Sequence, residues 1–105
     1  MSERVEWLAY EFNVYPATGV TWGEAPGVYI FAGRAADNQW QAYYVGETDS
    51  FRRRVPGHEQ WKPAARLGAT HIHARVVKQT PAREGILRAL IQAFAPPLNT
   101  ETPAP

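Results

Sequence analysis

The stretch GVYIFAGRAADNQWQAYYVG, residues 27–46, decides the fold. Its two ends, Gly27–Ala32 and Trp40–Val45, are rich in β-branched and aromatic side chains, which suit a pleated, half-buried surface. Between them Asp37–Asn38 is turn chemistry, so the stretch reads as an antiparallel hairpin. Upstream, Leu8, Tyr10, Phe12 and Val14 alternate with Ala9, Glu11 and Asn13, the period of two expected of a further strand. Pro16, Gly19, Gly23 and Pro26 make the intervening segment a loop.

Downstream of the hairpin the pattern turns helical. Thr48 or Asp49 is placed to cap a short helix through Phe51 and Arg54, and Pro56–Gly57 separates it from a second helical piece over Glu59–Leu67. After Gly68, Thr70–Val77 reads as a strand. Thr80 followed by Pro81 opens a helix, because proline at the first helical position gives up no intrahelical hydrogen bond. That helix should run to Phe94, with Ile86, Leu87, Leu90, Ile91 and Phe94 on one stripe, and stop at Pro96–Pro97. The expectation is one α/β domain over residues 1–100, followed by a flexible tail over 101–105.

At 105 residues one modest core is affordable, and two are not. With no cysteine, neither a disulfide framework nor a thiolate zinc site is available, which points to a reducing, cytoplasmic setting. The opening MSERVEWLAYEF interleaves charged and apolar groups, and no later run approaches about 18 apolar residues, so neither secretion nor a membrane partner is expected. A net charge of +1 conceals a division: residues 1–50 carry two basic and seven acidic side chains, residues 51–105 nine basic and three acidic. Such asymmetry fits one basic face for a nucleic acid, as well as a mixed solvated surface.

Several residues stand out for their chemistry. Tyr29 and Tyr44 lie on opposite strands of the hairpin, where cross-strand pairing brings side chains together; strand tyrosines serve a core equally well. Arg54 follows Tyr44 by ten residues and His58 follows Arg54 by four; a guanidinium is the side chain best matched to a phosphate. Glu84 falls on the edge of the apolar stripe of the last helix. It either stabilises the helix N-terminus or holds a divalent cation, and position alone does not choose. His71 and His73, two apart, share a face, as metal ligands or as packed residues. Trp7, Trp22, Trp40 and Trp61 fit a core or base-stacking surfaces.

Taken in order, Gly27-Val28-Tyr29, Tyr44-Val45-Gly46, Arg54, His58, Glu84 and the Asn99 of PPLN resemble the GIY-YIG nuclease family across residues 27–99. The resemblance implies a small central antiparallel β-sheet of three core strands flanked by helices, to which the N-terminal strand would be an addition. It also implies metal-dependent cleavage of a phosphodiester in DNA, or less readily RNA. In such enzymes the acid matching Glu84 binds Mg²⁺ or Mn²⁺, the arginine matching Arg54 steadies the scissile phosphate, and the tyrosines matching Tyr29 and Tyr44 place and deprotonate water. The asparagine matching Asn99 supports the site by hydrogen bonding, and His58 matches a frequent but variable position.

Arg52, Arg53, Lys62 and Arg66 are then expected on a nucleic-acid face, with a protein partner supplying further specificity. Two features depart from the family pattern: GVY replaces GIY, and Glu47 stands three residues after Tyr44, where repair members often carry lysine. The reading from another class is a catalytically weak module that keeps the fold and binds a nucleic acid or a protein.

Overall fold

A computed structural model describes residues 3–99. Five strands, β1 (Arg4–Trp7), β2 (Tyr10–Pro16), β3 (Gly27–Arg34), β4 (Trp40–Thr48) and β5 (His71–Val76), form one antiparallel sheet in the order β1-β2-β5-β3-β4. Three helices, α1 (Phe51–Arg54), α2 (Trp61–Leu67) and α3 (Thr80–Phe94), and a 3-10 turn at Pro97–Asn99 accompany it. Among the described residues, no helix is long and apolar enough to cross a membrane.

The hairpin at residues 27–46 becomes β3 and β4, and α3 has the bounds its periodicity predicts. The expected N-terminal strand is instead a second hairpin. Leu8 holds φ +60 between Trp7 and Tyr10, a paired couple separated by a two-residue turn. Alternation in sequence survives such a turn, and neither glycine, asparagine nor aspartate announces it. The sheet therefore has five strands rather than three plus one.

Side chains alternate across the sheet, so β3 supplies both of its faces. Val28, Ile30 and Ala32 point to one side, where they pack with Trp7, Phe12, Val45 and the Ile86 and Leu90 of α3. Tyr29 and Phe31 point to the other and meet Phe51, Val55, Ala64 and Ile72 beneath α1 and α2. A register shift between Phe31 and Ala32 pairs Phe31 with Tyr44 and Ala32 with Ala42, leaving Tyr43 unpaired as a bulge. Both Tyr43 and Tyr44 thereby pack on the Tyr29 side.

The short helix α1 is capped by Ser50, not by Thr48 or Asp49: the Ser50 hydroxyl accepts from the Arg53 N–H at 3.4 Å. Thr48 closes the turn before it, its hydroxyl accepting from the Ser50 N–H at 3.0 Å. The second helix begins at Trp61, two residues later than its expected start, because Gly57 (φ +71) and the His58–Gln60 turn intervene.

Candidate functional site

Of the residues picked out by sequence, Tyr29, Tyr44, Arg54 and His58 gather on the α1/α2 face, whereas Glu84 stands on α3, the helix packed on the other face. Tyr29 projects from the central strand, and its ring lies across Gly46 of β4, where a Cβ would overlap its Cζ and hydroxyl. Glycine at that position is what lets the Tyr29 ring cross its neighbouring strand. Tyr44 stands one pair away, with ring centroids 6.3 Å apart. The turn after α1 brings in His58, whose ring is 5.5 Å from Tyr29 and 5.2 Å from Tyr44, in edge-on geometry to both. Tyr29 and His58 are buried, whereas Tyr44 is half-buried.

Hydrogen bonds fix how His58 is protonated. The backbone N–H of Gln60 donates to His58 Nδ1 at 3.0 Å, so that nitrogen carries no proton. Burial, helped by the nearby Arg54 cation, lowers the imidazole to about 4, so it is neutral at pH 7 and its proton sits on Nε2. His58 Nε2–H therefore donates to the Tyr29 oxygen, 2.8 Å away. The phenolic proton of Tyr29 is thus left free of His58. Burial and then the neighbouring Tyr44 push Tyr29 above its usual range, against a lowering by Arg54, so in the resting protein it is a phenol.

Arg54, at the end of α1, is half-exposed beside this pair. Its fork is closed by Glu59: Nη1 donates to Oε1 at 2.8 Å and Nη2 to Oε2 at 2.7 Å. That two-pronged bond holds Glu59 down at about 2 and raises Arg54 above its usual range. In the sequence, Glu59 has no role beyond the start of a helical piece. It lies five residues beyond Arg54, across the Pro56–Gly57 break, where no regular spacing connects them.

Asn99 acts on the backbone of an edge strand. Its Oδ1 accepts from Val45 N–H at 2.7 Å and its Nδ2 donates to Val45 O at 2.9 Å, so the side-chain amide stands where a sixth strand would pair. Val45 is the residue between Tyr44 and Gly46. The asparagine thus pins the part of β4 that carries the site.

Glu84 is not on the inward stripe. It is exposed, and among the described residues its side chain has neither hydrogen bond nor ion pair. The inward charge is Arg83, three, four and seven residues before Ile86, Leu87 and Leu90. Arg83 tolerates burial because each of its three nitrogens is bonded: Nε donates to Glu47 at 3.0 Å, Nη1 to the carbonyls of Val77 and Lys78, and Nη2 to the Thr80 hydroxyl. A charged partner together with further hydrogen bonds is what a buried guanidinium requires. Glu47, opposite Val28 on the α3 side of the sheet, is therefore a tether for the start of α3.

The basic residues are less segregated than their sequence positions suggest. Arg52 and Arg53 are exposed but lie within 4.0 Å of Glu24, and Arg53 also meets Asp49 at 3.8 Å. Lys62 and Arg66, one turn apart on α2, are exposed and have no ion pair among the described residues. His71 and His73 share the opposite face, where His73 is fully buried and accepts from the Trp7 indole at 2.9 Å while His71 pairs with the Thr70 hydroxyl at 2.8 Å.

Among the described residues, no group of three or more histidine, aspartate and glutamate side chains is arranged around a metal position. Mg²⁺ needs no such group, since one or two carboxylates with waters and substrate phosphates suffice. Glu84, unpaired and exposed, fits that demand, while Glu47 and Glu59 are committed to arginines. No family model matches the chain, and neither a curated protein nor a solved structure is significantly similar to it.

Proposed function

We propose that the chain is a metal-dependent endonuclease of GIY-YIG type, hydrolysing phosphodiester bonds in nucleic acid, with DNA the first substrate to test and RNA the second. The observation that carries this reading is the convergence of Tyr29, Tyr44, His58 and Arg54, drawn from two strands, the short helix α1 and the turn after it, on one face of the sheet. A core would need their rings and not their polar ends. Here the Tyr29 oxygen is oriented by a histidine whose own tautomer is fixed by the backbone.

In hydrolysis, a water oxygen adds to phosphorus, the bond from phosphorus to the sugar oxygen breaks, and the proton lost by the water ends on the leaving oxygen, directly or through solvent. Tyr44 is the phenol that solvent reaches, so it meets that water first. His58 holds Tyr29 in place beside it, and its Nε2–H favours negative charge on the Tyr29 oxygen. Arg54, released from Glu59, binds two oxygens of the phosphate and offsets the charge that develops there. Glu84, uncommitted on α3, would hold a divalent cation, and such a cation supplies positive charge for phosphate hydrolysis. The tyrosine cluster lies on the other face from α3, so this role rests on the family resemblance and on the free carboxylate rather than on proximity.

One observation favours the binding-module reading: in the free protein the Arg54 fork is already filled. The two readings separate in an activity screen of purified protein against supercoiled plasmid, branched DNA, single strands and RNA, with Mg²⁺ or Mn²⁺. Nicking that disappears with chelator is expected, whereas salt-sensitive binding with no cleavage of any substrate would favour the module.

A further inference from the structure

A pocket of about 460 Å³ opens on the same face as the tyrosine cluster, on the far side of His58. Trp22, Phe31 and Trp61 form aromatic walls, and His58, Glu59 and Lys62 bring polar groups to it. Its size is that of a small-molecule site, apolar with a few convergent polar groups. Trp61 meets Phe31 edge-on at 89°, and Trp22 meets Tyr15 at 63° and Phe51 at 48°. Neither tryptophan is stacked flat on a neighbour, so each keeps ring surface for a planar guest.

We infer that this pocket receives one unpaired nucleobase of the nucleic acid whose phosphate Arg54 binds. The inference rests on the nucleic-acid reading above and adds to it a place for a base. Two features select that occupant. The pocket is continuous with the phosphate position, because Glu59 both lines it and fills the Arg54 fork. Its charge also matches: Lys62 carries no ion pair among the described residues, and displacing Glu59 by phosphate would leave a carboxylate at the wall to accept from a base amino group. Aromatic walls accept any base by stacking, so the pocket reads the presence of an unpaired base more than its identity.

The test compares two duplexes alike except at one nucleotide, an unpaired adenine in one and an abasic residue in the other, with chelator present to prevent cleavage. The adenine duplex should bind about tenfold more tightly and quench tryptophan emission, as expected for one stacked base. In Trp22→Leu, checked for folding by its melting curve, the preference should disappear while the abasic duplex binds as before. Equal affinity of the unmodified protein for the two duplexes overturns the pocket and leaves the nuclease reading standing. Failure to bind either duplex at low salt overturns both.

Discussion

The two faces of the sheet each bury a histidine, and on the function proposed above the difference between them is that between packing and chemistry. His73, under α3, is held neutral by burial, at about 3, and accepts from Trp7 through Nδ1. Its proton is therefore on Nε2, which has no hydrogen-bond partner among the described residues and lies among aromatic rings, with Trp40 4.5 Å away by centroids. His58, under α1 and α2, has the same tautomer for the same kind of reason. Yet its Nε2–H is aimed at a tyrosine beside a second tyrosine and an arginine. A buried histidine with a lowered pKa is therefore no mark of function by itself. What the free nitrogen faces is the mark.

Matched substitutions should break the two faces differently. Tyr29→Phe keeps the ring but removes the acceptor of His58, and Trp7→Phe removes the donor to His73. Each leaves a buried polar atom without its partner and should cost about 1–3 kcal/mol of stability. Only Tyr29→Phe should also depress nicking, by about a hundredfold or more, as loss of a proton-handling group does. Assays run well below both melting temperatures check this, and equal activity losses would erase the distinction between the faces.

Acid should affect the two histidines alike. Each has a folded pKa below the ordinary 6.5, so on acidification the unfolded chain takes up the proton first. Their stabilising contribution is complete above pH 6.5 and falls as pH drops from there towards 4 for His58 and 3 for His73. For His73, fully buried, the loss is on the order of 1–3 kcal/mol, or several degrees of melting temperature in a domain of this size. Melting curves at half-unit steps of pH measure it, and a melting temperature flat from pH 7 to 4 would mean that neither imidazole is held neutral.

The smallest effect is expected at Glu59. Glu59→Gln removes the charge that competes for Arg54, so affinity for a duplex should rise by about two- to fivefold at low salt, with less gain as salt screens the pair. The duplex for this measurement is fully paired, so that no base enters the pocket; weaker binding of it by the variant would show that Glu59 contacts the backbone instead of yielding to it.

Much of this arrangement is legible in the sequence where local signals agree. The hairpin at 27–46 and the helix Thr80–Phe94 follow from periodicity punctuated by turn residues and prolines, and Tyr29, Tyr44, Arg54 and His58 are brought together as their order suggests. Three features escape for physical reasons. The Leu8–Ala9 turn leaves the alternation intact, and the bulge at Tyr43 is a property of pairing rather than of either strand. Arg83 on the apolar stripe escapes because the partner that permits its burial, Glu47 of β4, is 36 residues away, beyond the reach of any helical spacing. Glu84, expected at the edge of the stripe, faces solvent.

That exposed carboxylate is the most direct test of the nuclease reading. Nicking of supercoiled plasmid in Mg²⁺ and melting temperature should be measured side by side for the parent and for Glu84→Gln, which keeps shape and removes charge. Because the Glu84 side chain has no partner among the described residues, melting should be nearly unchanged, duplex binding retained and nicking abolished. A variant that nicks at the parental rate, or a parent that nicks equally well in chelator, would contradict the account.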